Sequence, residues 1–133
     1  FYQRDDVQYV SLHGDPARAY PYITGYADEV GSGRGRGANL NVPLPLGADD
    51  DHYAAALTGA LQAIDPFRPH LLFVSLVVDA FHNDPIPDLS VTAAAFASQP
   101  PPVPHLSLPS LAVPHGGYDV ASRAHSVTRR LAR

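Results

Sequence analysis

The chain contains no cysteine and no methionine. Without cysteine there is no disulfide framework, no thiolate metal cluster and no cysteine nucleophile, and the redox compartment stays open. The missing methionine, with a first candidate strand already under way by Val7, is the pattern expected of a piece of a larger protein. No apolar run approaches the roughly 20 residues that span a bilayer, and the polar opening FYQRDDVQY is not a signal peptide. Basic residues are few, nine against thirteen acidic ones, for a formal charge of −4 with the seven histidines neutral. That balance argues against electrostatic attachment to nucleic acid or to an anionic membrane. A soluble, cytoplasmic protein with no nucleic-acid and no membrane partner is the expectation. The motifs HExxH and HxxEH are also absent, so there is no self-contained zinc site.

What is present fits one α/β domain. At 133 residues and 14.2 kDa the chain can bury one modest core but not two independent ones. Asp5 to His13 favours an extended run, and the following GDP breaks it. Gly14 to Asp49 shows no long period, yet its tyrosines and the run NLNVPLPL predict an ordered loop with a short strand near Leu40 to Val42. Asp49 to Asp51 supply a cap and first-turn carboxylates, and Tyr53, Leu57, Leu61 and Ile64 share one face, which predicts a helix ended by Asp65-Pro66. HLLFVSLVV is continuously apolar and valine-rich, as a parallel strand covered on both faces would be. Strand, helix, strand with a right-handed crossover is the expected topology. Asp88 to Gln99 reads as a cap and short helix, stopped by PPPVP. Leu106 to Val113 could form a strand, although Pro109 argues against a central one. PHGGYDV reads as a turn or strand-end loop, and the last residues as an amphipathic piece.

Candidate chemistry is sparse. Asp79 follows the apolar strand, where ligands and catalytic groups collect in open α/β sheets, but aspartates there are also common loop formers. His82 and His13 could join a carboxylate at a metal or be exposed loop histidines. The ladder Gly31, Gly33, Gly35, Gly37 lacks the lysine and flanking elements of a phosphate loop, and Arg34 and Arg36 are too few for a single-strand RNA groove. It reads as a backbone that turns repeatedly or passes close to other backbone. Tyr118 follows two permissive glycines, and its phenol could donate to a developing oxyanion.

In order, the segments VSLHGDP (10–16), YPYITGYADEVGSGRGRGANLNVPLPLG (20–47), DDDHYAAAL (49–57), VSLVVDAFHNDP (74–85) and GGYD (116–119) resemble the zinc-dependent deacetylase superfamily of histone deacetylases and acetylpolyamine amidohydrolases. The resemblance implies part of an arginase-like (deacetylase) three-layer α/β fold with a parallel central sheet. It also implies zinc-dependent removal of acetyl groups from an acetylated small amine or an acetyl-lysine peptide. By the same resemblance Asp79 matches a zinc ligand, and Tyr118 the catalytic tyrosine that polarises the acetamide carbonyl. Gly117 matches the glycine beside the acetyl pocket, and Tyr20 the aromatic wall of the substrate channel. Ser11 and Leu12 match positions whose backbone carbonyls, with the serine hydroxyl, hold a potassium ion, and Phe1 falls at a second monovalent-ion site. His13 and His82 are then not zinc ligands.

The chain also departs from the pattern. The family's tandem histidines and its DxDxHHG segment, with the other two zinc ligands, have no counterpart here, and catalytic zinc needs three protein ligands. Val77 stands where the family has glycine, His115 where it has glutamate, and residues 98–114 diverge as a proline-rich tract within a single domain spanning 1–133. The expectation is a carboxyl-side fragment, inactive alone, marginally stable or self-associating, with a catalytically dead structural or interaction module as the alternative.

Overall fold

A computed structural model describes residues 1–77, 89–92 and 108–115. Two parallel ladders organise them. Strand β1, Tyr9–Gly14, pairs with β2, Asn39–Leu44, in unbroken register from Tyr9 opposite Asn39 to Gly14 opposite Leu44. Helix α1, Asp50–Ile64, leads through a 3-10 turn at Asp65–Phe67 to β3, Leu72–Val77, which pairs with β4, Ser110–His115.

The helix forms as its sequence predicts. The Asp49 carboxylate accepts the His52 backbone N–H at 3.2 Å, satisfying one donor that a helix N-terminus otherwise leaves open. Tyr53 and Ala56 pack on a buried cluster of Leu44, Ala48, Leu89 and Val91, and Ala60 is buried one turn further on. Asp50 accepts both the N–H and the hydroxyl of Thr92, at 2.7 and 2.6 Å, and so ties the start of α1 to the segment that completes this cluster. At the other end the Gln8 amide donates to the Ala63 carbonyl at 3.0 Å, fastening the last helical turn beside β1.

Several boundaries differ from the sequence reading. The first strand begins at Tyr9, not Asp5, because Asp5 and Asp6 are drawn into ion pairs with Arg34 and Arg4 while Arg4 N–H turns back to the Phe1 carbonyl. The second runs over six residues, since β2 matches β1 along its whole length; among the described residues it pairs with β1 alone, so Pro43 costs no second ladder. Its sequence neighbour β3 is paired with β4 instead, so the simple β2–α1–β3 unit with adjacent strands is not formed among the described residues. Nor is β3 covered on both faces among the described residues: Leu72 and Val74 are half-buried, but Phe73 is 59% exposed. Leu89 to Thr92 does not open a helix; Leu89 makes a parallel bridge to Ala48, and Ser90 N–H donates to the Ala48 carbonyl at 2.8 Å. The proline-rich tract keeps a strand. Pro109 stands just before β4, where its carbonyl accepts Leu72 N–H at 3.0 Å, and Pro114-His115, read as a turn, continue that strand.

Parallel strands require a crossover, usually a helix. Between β1 and β2 the chain uses an irregular loop, and that loop is ordered. Its glycine ladder packs closely on other backbone at Gly35, where a Cβ would lie 2.7 Å from Arg4 N, Arg4 O and Tyr2 O. Gly33, by contrast, has φ +57° and open space around it. Gly35→Ala is therefore expected to cost about 1–3 kcal/mol, because backbone cannot swing away as a side chain can. Gly33→Ala should cost less, about 1 kcal/mol, for its left-handed conformation alone. Thermal unfolding of the two variants checks the order; equal losses would show that close approach is not what Gly35 serves.

Candidate functional site

The site grows from the carboxyl end of β1. Ser11 and Leu12 lie within that strand, opposite Asn41 and Val42, and both are half-buried. The Ser11 hydroxyl is 2.8 Å from His13 Nδ1, and His13 Nε2 is 2.9 Å from the Gly25 carbonyl. A carbonyl only accepts, so Nε2 carries the proton; in the neutral ring Nδ1 then accepts from the Ser11 hydroxyl. That leaves the serine oxygen's lone pairs available. A hydroxyl oxygen and backbone carbonyls are the hard donors an alkali cation uses, so Ser11 and Leu12 are chemically suited to the potassium ion the resemblance implies. His13 is neither beyond the strand nor a free loop histidine, because both its ring nitrogens are engaged.

Gly25 is the base of the loop that carries Tyr20. The Tyr20 ring is 84% exposed and meets Tyr22 edge-on, with centroids 6.4 Å apart, while the Tyr26 hydroxyl donates to the Tyr22 carbonyl at 3.0 Å. Glu29 gathers this loop: its carboxylate accepts from the Thr24 hydroxyl at 2.9 Å, Gly25 N–H at 2.8 Å and the Asn41 amide at 3.3 Å. The Asn41 amide also donates to the Tyr26 carbonyl at 3.0 Å, and Asn39 donates to the Glu29 carbonyl. The Gly25 N–H, then Thr24 and Asn41, hold the Glu29 carboxyl below its usual range by stabilising the charged form.

Ser11 and the loop bearing Tyr20 are thus connected through His13 and Gly25, and Leu12 lies between Ser11 and His13 in the same strand. Asp79, Gly117, Tyr118 and His82 lie outside the described residues. Among the described residues no three histidine, aspartate or glutamate side chains could hold a metal together. Sequence reasoning missed Glu29 and Asn41. The signal was there in Asn39 and Asn41, two positions apart in a strand: asparagine is poor in strands, and Asn41, 7% exposed, needs buried partners. Arg34, weighed for RNA, is engaged by Asp5 through two hydrogen bonds of 3.1 and 2.7 Å.

The sequence pattern of the Histone deacetylase domain matches residues 1–133. The chain belongs to the histone deacetylase family. Within this family of zinc-dependent amidohydrolases it is 42% identical over 120 residues to acetylpolyamine amidohydrolase 1 of Pseudomonas aeruginosa, covering 90% of this chain and 35% of that protein. It is 44% identical over 120 residues to a probable deacetylase of Methanothermobacter thermautotrophicus, covering 90% of this chain and 36% of that one. The crystal structure of an acetylpolyamine aminohydrolase from Burkholderia pseudomallei matches with a TM-score of 0.88 at 35% identity, over 99% of this chain and 39% of that chain. The parallel strands and packed helix described above accordingly follow the arginase-like deacetylase fold. The chain spans about a third of the length of these relatives. Among the described residues no helix is long and apolar enough to cross a membrane.

Asn41→Asp puts a second carboxylate where Glu29 now receives a donor. The loss of buried amide bonds should cost about 1–3 kcal/mol at neutral pH, and like-charge repulsion adds to it. Part of the loss should return as the pH is lowered and one carboxylate of the pair is protonated. Denaturant unfolding at two pH values checks this; a variant as stable as the parent at neutral pH would contradict the network.

Proposed function

We propose that this chain supplies one part of a deacetylase-type site that removes acetyl groups from an acetylated amine, an acetylpolyamine or acetyl-lysine. The observation that carries the reading is the pairing of β3 and β4. These parallel strands end side by side at Val77 and His115, which are register partners. The two residues assigned to chemistry come next in the chain, Asp79 two positions after Val77 and Tyr118 three after His115. Carboxyl ends of parallel strands are where α/β folds collect such groups.

In this reading zinc, when bound, supplies Lewis acidity at the water and the acetamide carbonyl. Asp79 is one of its ligands, and the remaining ligands come from outside this chain. Tyr118 offers its phenol as a preorganised donor to the carbonyl oxygen as charge develops there. Gly117 leaves room beside the acetyl group, and Tyr20, exposed on its loop, walls the channel for the substrate's aliphatic stem. Ser11 and Leu12 would hold the potassium ion, through backbone carbonyls and the serine hydroxyl. The names of the relatives bring the acetylpolyamine class forward as substrate.

A dead structural or interaction module is the second reading. It is favoured by Val77 and His115, which stand opposite one another at the strand ends in place of the family's glycine and glutamate. The exposed Phe73 and Leu111, also register partners, would suit self-association of such a module.

Zinc content and turnover of N-acetylputrescine and an acetyl-lysine peptide separate the two readings. They are measured on this chain and on a version extended upstream to the length of its relatives. The extended version is expected to bind zinc, to lose it with Asp79→Asn, and to slow about 100-fold or more with Tyr118→Phe. Unchanged turnover in Tyr118→Phe would remove the tyrosine's role, and an extended protein that neither binds zinc nor turns over would establish the dead module.

A further inference from the structure

We infer that Glu29 is a positioning residue whose carboxylate, together with Asn41 and His13, docks the hinge at Gly25 and so sets the aromatic loop 20–26 in place. The inference rests on the reading of Tyr20 as a substrate-channel residue. Its structural half stands on contacts alone.

The loop needs such a device. Tyr20, Tyr22 and Ile23 are all exposed, so burial of their side chains does not hold them. Tyr22 sits at φ 65°, a left-handed conformation that a non-glycine residue keeps only when its surroundings enforce it. The enforcement converges on Gly25. Its N–H is held by Glu29 and its carbonyl by His13, so both polar groups of one peptide position are anchored, one from within the loop and one from β1. Gly25 itself has φ 104°, and a Cβ there would lie 2.6 Å from His13 Nε2, so the hinge fits flush against the strand. Thr24 and Tyr26, on either side, are tied to the same knot through Glu29 and Asn41.

Besides the loop's own bonds, Tyr26 O–H to the Tyr22 carbonyl and Tyr22 N–H to the Ala19 carbonyl, the contacts that tie it to the strands pass through this carboxylate, Asn41 and His13. From β2 come the neutral amides of Asn39 and Asn41, from β1 the titratable His13 on the far side of the Gly25 peptide, and the adjacent acid in the loop is Asp28. Because the folded carboxyl is held below its ordinary range, docking is fully present above that range and is lost as the pH falls through the lowered value.

The test uses the 133-residue chain, isotopically labelled, beside Glu29→Gln. The Gly25 amide proton is followed by NMR from neutral to acid pH, with amide exchange at Leu12 and Val42 as the reference for the sheet. Chymotryptic cleavage after Tyr22 and Tyr26 reports the loop, the bond after Tyr20 being resistant because Pro21 follows it. In the parent, the Gly25 amide shift should titrate with a midpoint below the ordinary glutamate range, and Glu29→Gln should abolish that titration. Cleavage in the loop should rise about tenfold in the variant, while exchange at Leu12 and Val42 stays within about twofold. A Gly25 amide blind to the substitution would overturn the inference. So would loss of protection at Leu12 and Val42 in step with the loop, because the carboxylate would then be holding the sheet. These readouts need neither zinc nor substrate, so they fail separately from the proposed function. Turnover of Tyr20→Ala in the zinc-loaded extended protein decides the catalytic half: normal turnover would end the loop's positioning role even with the clamp intact.

Discussion

The amide of Asn41 is the contact on which the first half of the structure depends. Parallel strands cannot be joined by a tight turn, and the usual solution is a helix that brings its own hydrogen bonds. Between β1 and β2 the chain has instead an irregular segment whose backbone groups need partners one by one. Asn41 projects from β2 into that segment and donates to Tyr26 and Glu29, and Glu29 passes the constraint on to Thr24 and Gly25. From Gly25 it returns to β1 through His13. The crossover is closed into a ring of polar contacts that starts on one strand and ends on the other.

The glycine ladder and the helix extend the same logic by different means. Where the loop runs beneath the first residues, Ser32 N–H donates to the Tyr2 carbonyl at 3.0 Å, and Gly35 gives the backbone room to pass Arg4. The ion pairs of Arg34 with Asp5 and Arg4 with Asp6 lie on the surface, where such pairs add little net stability, but they occupy the guanidinium donors. Apolar packing belongs to the other side of β2, where Leu44 and Ala48 meet Tyr53, Leu89 and Val91. The sheet is thus held by a polar loop at one end and a small apolar core beyond the other.

How much of this was legible follows from the range of each interaction. Helix α1 was readable because its cap and its apolar spacing are local, and β3 because valine-rich continuity is local. The order of motifs identified the family, since it needs only the sequence. The start of β1 was not readable, because Asp5 is claimed by Arg34 across the loop. Strand β4 was obscured by prolines, which break a ladder only when their missing N–H is the one required; Pro109 contributes its carbonyl instead. The ladder was read as a backbone that turns repeatedly or passes close to other backbone, and it divides that way, Gly33 and Gly37 at positive φ in open space and Gly35 against backbone; yet the partner of Gly35 lies at the chain's first residues, beyond any local rule. Glu29 looked like one more loop acid, since its three partners come together only in the fold. The groups assigned to zinc and the acetamide, Asp79 and Tyr118, rest on the motif match and on the paired strand ends that precede them.

The most direct test of the polar crossover is residue-resolved amide exchange on the 133-residue chain. The amides of Ala19, Gly25, Ser32 and Gly37 all donate within the loop segment and its contacts. If the loop is a built part of the sheet, these amides should be protected to within about tenfold of those in β1 and β2, opening with the strands as one unit. Exchange at the rate of an unstructured segment, while β1 and β2 stay protected, would contradict the account.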